Sequence, residues 1–157
     1  MPTPDERKTM IDKIRRLPAQ LDNVVSSLSD LDLTTPFRAG EWTVAQNVHH
    51  LVDAHMNAYI RMKLVLLEDN PILKPYDQNA WAETPDSTHP HVKWAIRILE
   101  GLHDKWAIML DSVSNDEWAR TGNHLESGSL TLDDLLVYYS GHGEAHLEQI
   151  AKTLSAR

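Results

Sequence analysis

The sequence predicts an all-α protein built as a four-helix bundle, in a single domain that spans residues 1–157. Four long segments carry apolar residues at helical spacing, and connections of different lengths separate them. No segment shows a convincing alternation of apolar and polar residues, which would indicate a half-buried strand. The length of 157 residues matches one domain and is enough to form a hydrophobic core.

Two helices are predicted in the first half of the chain. The first runs from about Pro4 to Leu28, with a kink or a break at Pro18, because proline removes a hydrogen bond inside a helix. After a loop, Thr43 begins the second helix as the N-cap of a capping box. The helical pattern fades near Asn70, so this helix is also long.

The second half of the chain begins with a long connection. Residues 70–90 contain four prolines and are expected to form a loop with a short helix around 79–83. The third helix is predicted over 91–113. Residues 121–130 read as a loop, and the last helix follows from the N-cap Thr131 to about Leu154.

The composition limits the classes of partner. Hydrophobic residues form 41% of the chain and charged residues 24%, as in ordinary globular proteins. The net charge of −8 lacks the electrostatic signature of a nucleic-acid binder, and an anionic membrane surface would repel it. There is no cysteine, which excludes disulfides and thiolate ligands. The polar start "MPTPDERKTM" is unlike a signal peptide, so we expect a cytoplasmic protein without nucleic-acid or membrane partners.

The last helix contains the segment "GHGEAH", in which His142 and His146 lie one turn apart and project to the same side. This spacing suits two imidazoles that bind one metal ion, although a pair of half-buried, hydrogen-bonded histidines is the simpler explanation. A zincin motif is not present, because Gly143 follows the first histidine and Glu144 points away. Gly141 and Gly143 each cost about 1 kcal/mol relative to alanine, which a close approach of another helix or a ligand would offset.

A metal site needs a third ligand, and the second helix offers several candidates in "VHHLVDAH". The apolar stripe of this helix favours His55, which lies near its centre. A second, regularly spaced row is polar and contains Asn47, His50, Ala54, Asn57 and Arg61. That row either faces solvent or lines a polar pocket inside the bundle, and periodicity alone leaves both alternatives open.

The chain contains, in this order, the segments "GEWTVAQNVHHLVDAHMNAYIRMKL", "PYDQNAW" and "GHGEAHLEQI". Together they resemble the DinB-like superfamily, and most closely its YfiT-type branch, from about Leu17 to Ile150. The family pattern places a metal-binding histidine eight residues after a tryptophan and two more in a late H-x-x-x-H pair. The resemblance therefore implies His50, His142 and His146 as the metal ligands, and it leaves His55 as a hydrogen-bonded residue of the core or of the surroundings of the site.

Three histidine ligands leave an open position on a divalent ion, as in catalytic sites. The resemblance implies zinc or nickel, and histidine ligands alone do not distinguish them. The resemblance also implies two activities, since related members transfer low-molecular-weight thiols such as bacillithiol or mycothiol and others are described as metal-dependent hydrolases. Our first hypothesis is a thiol S-transferase that acts on electrophilic small molecules, with the thiol held as the thiolate. The alternatives are a metal-dependent hydrolase that uses metal-bound water and a non-catalytic metal-binding helical bundle.

The substrate is expected to be a small molecule. The predicted substrate contacts are Asn47, Asn57, Arg61 and Tyr139. Arg61 could pair with a substrate carboxylate through two hydrogen bonds, although a solvated position on the helix is the alternative. Tyr139 lies within a turn of His142 and is expected close to the metal. The resemblance also favours a homodimer, for which Trp94 or Trp106 could supply the interface.

Overall fold

The computed structural model describes residues 1–157, and it confirms the predicted bundle of four long helices. These are α1, α3, α5 and α6, which span Pro4–Val25, Val44–Leu67, Val92–Asp111 and Leu132–Leu154. Two short helices lie in the connections, α2 over Asp30–Thr34 and α4 over Gln78–Ala82, and a 3₁₀ turn covers Glu117–Ala119. None of the helices combines the length and the apolar character that crossing a bilayer requires.

Capping boxes fix the start of several helices. The side chain of Thr43 accepts a hydrogen bond from the backbone N–H of Gln46, and the Gln46 side chain accepts one from the N–H of Thr43. Thr131 begins α6 in the same way, so both predicted N-caps are confirmed. Of the two alternatives predicted at Pro18, the break is wrong, because α1 continues through this residue to Val25.

The long helices pack in the order α1, α5, α3, α6 around the bundle, so that α1 and α3 each contact both α5 and α6. Two separate apolar clusters fill the interior. Trp106 belongs to one of them and is fully buried, with its indole N–H donated to Met62 Sδ at 3.0 Å. A role for Trp106 in a dimer interface is therefore wrong. Trp94 is 55% exposed, and the homodimer stays a prediction.

A small three-stranded sheet, which the sequence did not predict, closes one side of the bundle. Its strands are β1 over Ile72–Leu73, β2 over Thr121–His124 and β3 over Gly128–Thr131. β2 pairs antiparallel with β3 and parallel with β1. The expectation of a loop over 121–130 is thus wrong. These strands are short and rich in Gly, Ser and Asn, and the pairing with β1 joins segments far apart in the chain, so no local alternation reveals them.

Candidate metal centre

Three histidines from two helices converge inside the bundle. His50 of α3 meets His142 and His146 of α6, and each offers a ring nitrogen within 4.8 Å of the other two. The Nε2 atoms of His50 and His142 are 3.4 Å apart. Nitrogen ligands about 2.1 Å from a tetrahedral ion lie roughly 3.4 Å from each other, so this separation fits two ligands of one zinc-like ion.

The protonation state of the three rings also fits a cation. Burial, together with the nearby His146, lowers the pKa of His50 to about 4. Burial likewise lowers the pKa of His146 to about 4, and that of His142 to about 3 with contributions from the two other rings. The imidazoles are therefore neutral near pH 7, which is the form that binds metal ions.

The position of the centre follows from how the helices divide the core. On α3, the residues of one apolar cluster end at Val52 and those of the other begin at Ala58. On α6, the clusters are separated between Tyr139 and Ile150 in the same way. The histidines of α6 lie in this interval, whereas His50 of α3 lies among the last residues of the first cluster, just before Val52. The triad therefore lies at the border between the two clusters.

His146 is held from behind by Asn47. The ring Nδ1 lies 2.8 Å from Asn47 Oδ1, and the amide nitrogen of Asn47 donates to the backbone carbonyl of Thr43 at 2.9 Å. Asn47 is fully buried, so its amide keeps this orientation. Its oxygen accepts the Nδ1 proton of His146, which leaves Nε2 of His146 free for a metal. Asn47 was predicted to contact substrate, and the structure places it against this ring instead.

Behind His142 lie two further buried histidines. His142 Nδ1 is 3.2 Å from His55 Nε2, and His55 Nδ1 is 2.8 Å from His103 Nε2. His103 Nδ1 in turn lies 2.6 Å from the carbonyl oxygen of Ile14 on α1. His55 and His103 are both fully buried. The structure thus places His55 behind the triad, whereas its position on the apolar stripe favoured it as a ligand.

His103 was not among the residues predicted from the sequence. It lies on the apolar stripe of α5 with Leu99 and Trp106, which are both fully buried. A histidine among such residues is buried among apolar neighbours and therefore needs a hydrogen-bond partner. That signal was present in the sequence, although nothing local showed that the partner would be another histidine.

A cavity of about 400 Å³ opens next to the triad. Its wall includes the ligand candidates His50 and His142, and it also includes side chains from the connection after α3, the β2–β3 hairpin and α6. The charged, amide and aromatic lining residues, apart from the two triad histidines, are Arg61, Tyr76, Gln78, His124, Glu126, Asp134, Tyr138 and Tyr139. A small molecule in this cavity would reach the triad from the side of the hairpin.

Arg61 and Tyr139, both predicted to contact substrate, lie together in the cavity wall. Arg61 is 8% exposed, and its guanidinium donates to the Tyr139 hydroxyl at 2.9 Å and to the carbonyl of Lys74. None of the ion pairs in the structure involves Arg61. Asn57 lies apart from the cavity lining, and its amide donates to the Asp53 carbonyl at 2.8 Å.

Comparisons with known proteins agree on the family. The model of the DinB superfamily matches residues 13–150. A protein of Oceanobacillus iheyensis is 43% identical over 140 residues, which cover 89% of this chain and 81% of the relative. A protein of Bacillus cereus is 43% identical over 150 residues, with coverages of 94% and 86%. Both relatives are named as proposed metal-dependent hydrolases.

A solved structure shares the fold. YfiT from Bacillus subtilis matches with a TM-score of 0.94 and 34% sequence identity, over 98% of this chain and 88% of that protein. It is described as "a probable metal-dependent hydrolase with an unusual four-helix bundle topology". The family model and these relatives each match most of the chain, and the residues that the family model matches contain all three histidines of the triad. The chain therefore belongs to the DinB superfamily.

Proposed function

We propose that the protein is a metal-dependent hydrolase of small molecules, with His50, His142 and His146 as the ligands of a divalent ion. The observation that carries this proposal is the convergence of three neutral imidazoles beside a cavity that admits a small molecule. A site with three protein ligands keeps a position open for water or substrate. The names of the relatives and of YfiT support hydrolysis as the reaction class.

The protein contributes orientation and a suitable environment. A bound zinc or nickel ion would act as a Lewis acid and would lower the pKa of a coordinated water to about 7. Asn47 holds the His146 ring, and burial keeps all three ligands neutral. Glu144 does not supply a general base here, because its carboxylate pairs with Lys13 at the surface.

The substrate of the proposed hydrolase carries an anionic group, most simply a carboxylate. A buried guanidinium without a carboxylate partner is costly, and a bound anion would compensate Arg61. Arg61 reaches the Tyr139 hydroxyl, and the Tyr139 ring centroid is 6.0 Å from that of His142. The anion would therefore bind at the Arg61 end of Tyr139, and the scissile bond would lie at the other end of the substrate, next to His142.

The first test is the metal content of protein purified without an affinity tag. We expect about one equivalent of zinc or nickel in the wild type and in the control His91→Gln, whose side chain is exposed. His50→Ala and His142→Ala should lose the ion, since two ligands bind it weakly. Wild-type protein that stays metal-free after reconstitution would favour the non-catalytic bundle.

The second test separates hydrolysis from thiol transfer. The metal-loaded protein is given esters and amides in the absence of thiol, and an electrophile such as monobromobimane together with a low-molecular-weight thiol. Turnover by water alone supports the proposed hydrolase. Turnover that occurs only with the thiol supports the S-transferase hypothesis, which the names of the relatives described above do not support.

The role of Arg61 is tested with paired substrates that differ only in charge. Arg61→Met should raise KM for a carboxylate-bearing ester about 10- to 100-fold, because a hydrogen bond to a charged group contributes about 1.5–3 kcal/mol. KM for the matched ester in which a neutral carboxamide replaces this carboxylate should change little. Equal losses for both substrates would exclude anion recognition by Arg61 and leave the hydrolase proposal intact.

A further inference from the structure

We propose that His55 and His103 are positioning residues, which hold the metal ligand His142 in the tautomer that leaves Nε2 free for the ion. The inference rests on the proposed metal site and adds two residues behind it. It is carried by an unbroken series of hydrogen-bond contacts from the backbone of α1 to His142, at 2.6, 2.8 and 3.2 Å.

The direction of every hydrogen bond follows from the first one. The Ile14 carbonyl oxygen can only accept, so His103 Nδ1 carries a proton. In a neutral imidazole the other nitrogen is then an acceptor, so His103 Nε2 accepts from His55 Nδ1. By the same step, His55 Nε2 accepts from His142 Nδ1. The proton of His142 is thereby placed on Nδ1, and its Nε2 faces His50 with a lone pair.

Burial keeps the series in this state. His55 and His103 are both fully buried, and neither ring is hydrogen-bonded to a carboxylate. A second proton on either ring would create a buried charge without a partner, which is strongly unfavourable. His55 also packs edge-on against Trp106 and Tyr139, with ring centroids at 5.5 and 6.0 Å, so the aromatic neighbours hold it in place.

The series ends at a peptide carbonyl, and this excludes proton transport along it. A carbonyl oxygen can neither supply a proton nor pass one on to solvent. What remains is orientation of His142, as the neighbours of metal-bound histidines commonly provide. The other ligand on α6 is anchored in a parallel way, since Asn47 connects His146 to the carbonyl of Thr43.

The test compares two substitutions of His103 that differ in hydrogen bonding. His103→Gln keeps a donor for Ile14 and an acceptor for His55, whereas His103→Leu removes both. The exposed residue variant His91→Gln serves as the control. Tautomers are read from long-range ¹H–¹⁵N correlations of the imidazoles in the full-length protein, with and without Zn²⁺. Zinc affinity is measured by competition with a chelator.

We expect Nδ1–H tautomers at His55, His103 and His142 in the wild type. His103→Leu should release the His142 tautomer and weaken zinc binding about 10- to 100-fold, the usual loss when such a partner is removed. His103→Gln should bind zinc within about threefold of the wild type, and His91→Gln should not differ from it.

Several results would overturn the inference. One is an Nε2–H tautomer at His55 or His103 in the wild type. Another is a folded His103→Leu variant with unchanged tautomer and affinity, or a folded His103→Gln variant as weak as His103→Leu. If His103→Leu does not fold, the wild-type tautomers and His103→Gln still decide. Failure of the wild type to bind zinc would count against the proposed hydrolase, while the tautomers of the metal-free protein would still test this inference.

Discussion

At the scale of single residues, most buried polar groups around the metal centre have hydrogen-bond partners on both sides. His55 and Asn47 are examples, each fully buried with two partners. Two charged groups of α3 that are buried or half-buried lack a partner of opposite charge, the Arg61 guanidinium and the Asp53 carboxylate. Arg61 lines the cavity, where a ligand can compensate it. Asp53 lies outside that cavity, so ionisation of its carboxylate should lower the free energy of unfolding.

The variant Asp53→Asn tests this cost. Burial, together with the nearby Asp86, raises the pKa of Asp53 to about 6, so the fold favours the protonated form. The contribution of Asp53 to native stability should then fall between about pH 4 and pH 6 and stay lower above that range. Because the carboxylate is only half-buried, solvent screening reduces the effect. We expect Asp53→Asn to be about 1 kcal/mol more stable than the wild type at pH 7.5 and equal to it at pH 4.

Urea unfolding of both proteins at the two pH values gives the difference directly, and titration of the histidines cancels because it is common to both. The exposed Asp69→Asn variant is the control and should show no pH-dependent difference. A gain for Asp53→Asn that is the same at pH 4 and pH 7.5 would mean that the carboxylate charge is not its cause.

At the scale of elements, the two glycines of α6 differ in how closely other parts of the protein pack against them. A Cβ on Gly143 would lie 2.4 Å from Leu17 Cδ2, so α1 approaches α6 closely at this position. A Cβ on Gly141 would meet nothing within 4 Å. A close approach of another helix therefore explains the glycine at Gly143 and does not explain Gly141. Gly143 lies between the two proposed metal-binding histidines of α6.

Alanine substitutions should consequently move stability in opposite directions. Gly141→Ala should stabilise the protein by up to about 1 kcal/mol, because alanine favours the helix and the site is open. Gly143→Ala forces the buried Leu17 to move, and such overpacking costs about 1–3 kcal/mol. Thermal unfolding of both variants measures the difference. Equal stabilisation of the two proteins would show that Leu17 repacks without cost.

The elements that the sequence predicted well are those with a local signal. The long helices carry apolar stripes and N-caps such as Thr43 and Thr131, which short windows of sequence reveal. The strand pairing of Leu73 with His124 joins residues far apart in the chain, and no such window contains both. Helical periodicity also did not identify His50 rather than His55 as the metal ligand, because α3 is buried over most of its surface and both residues are buried.

At the scale of the whole molecule, the bundle consists of two apolar clusters with a layer of histidines between them. The triad and the two rings behind it bring together α3, α5 and α6, and the Ile14 carbonyl adds α1. All four long helices thus contribute to one polar layer. Its composition could be predicted only through the family resemblance, since the ligands on α3 and α6 are about ninety residues apart and meet through tertiary packing.

The contact between the first and last helices at the far end of the bundle offers a test of what holds the molecule together. Arg7 of α1 and Asp133 of α6 form two parallel hydrogen bonds, each 2.7 Å long, with side chains 9% and 3% exposed. Lys13 and Glu144 join the same two helices, but their side chains are 38% and 51% exposed. The two pairs therefore differ mainly in burial.

Because the two pairs differ in burial, they should contribute unequally to the free energy of unfolding. Asp133→Asn leaves the Arg7 charge buried without compensation and should lower the free energy of unfolding by about 3–5 kcal/mol. Glu144→Gln should cost no more than about 1 kcal/mol, because water screens an exposed pair. The double variant Arg7→Met, Asp133→Leu should recover most of the loss, since no unpaired charge remains. Urea unfolding measures the free energy of unfolding of all three variants. A loss for Asp133→Asn as small as that for Glu144→Gln would show that water reaches Arg7. The buried pair would then not stabilise the contact between the first and last helices.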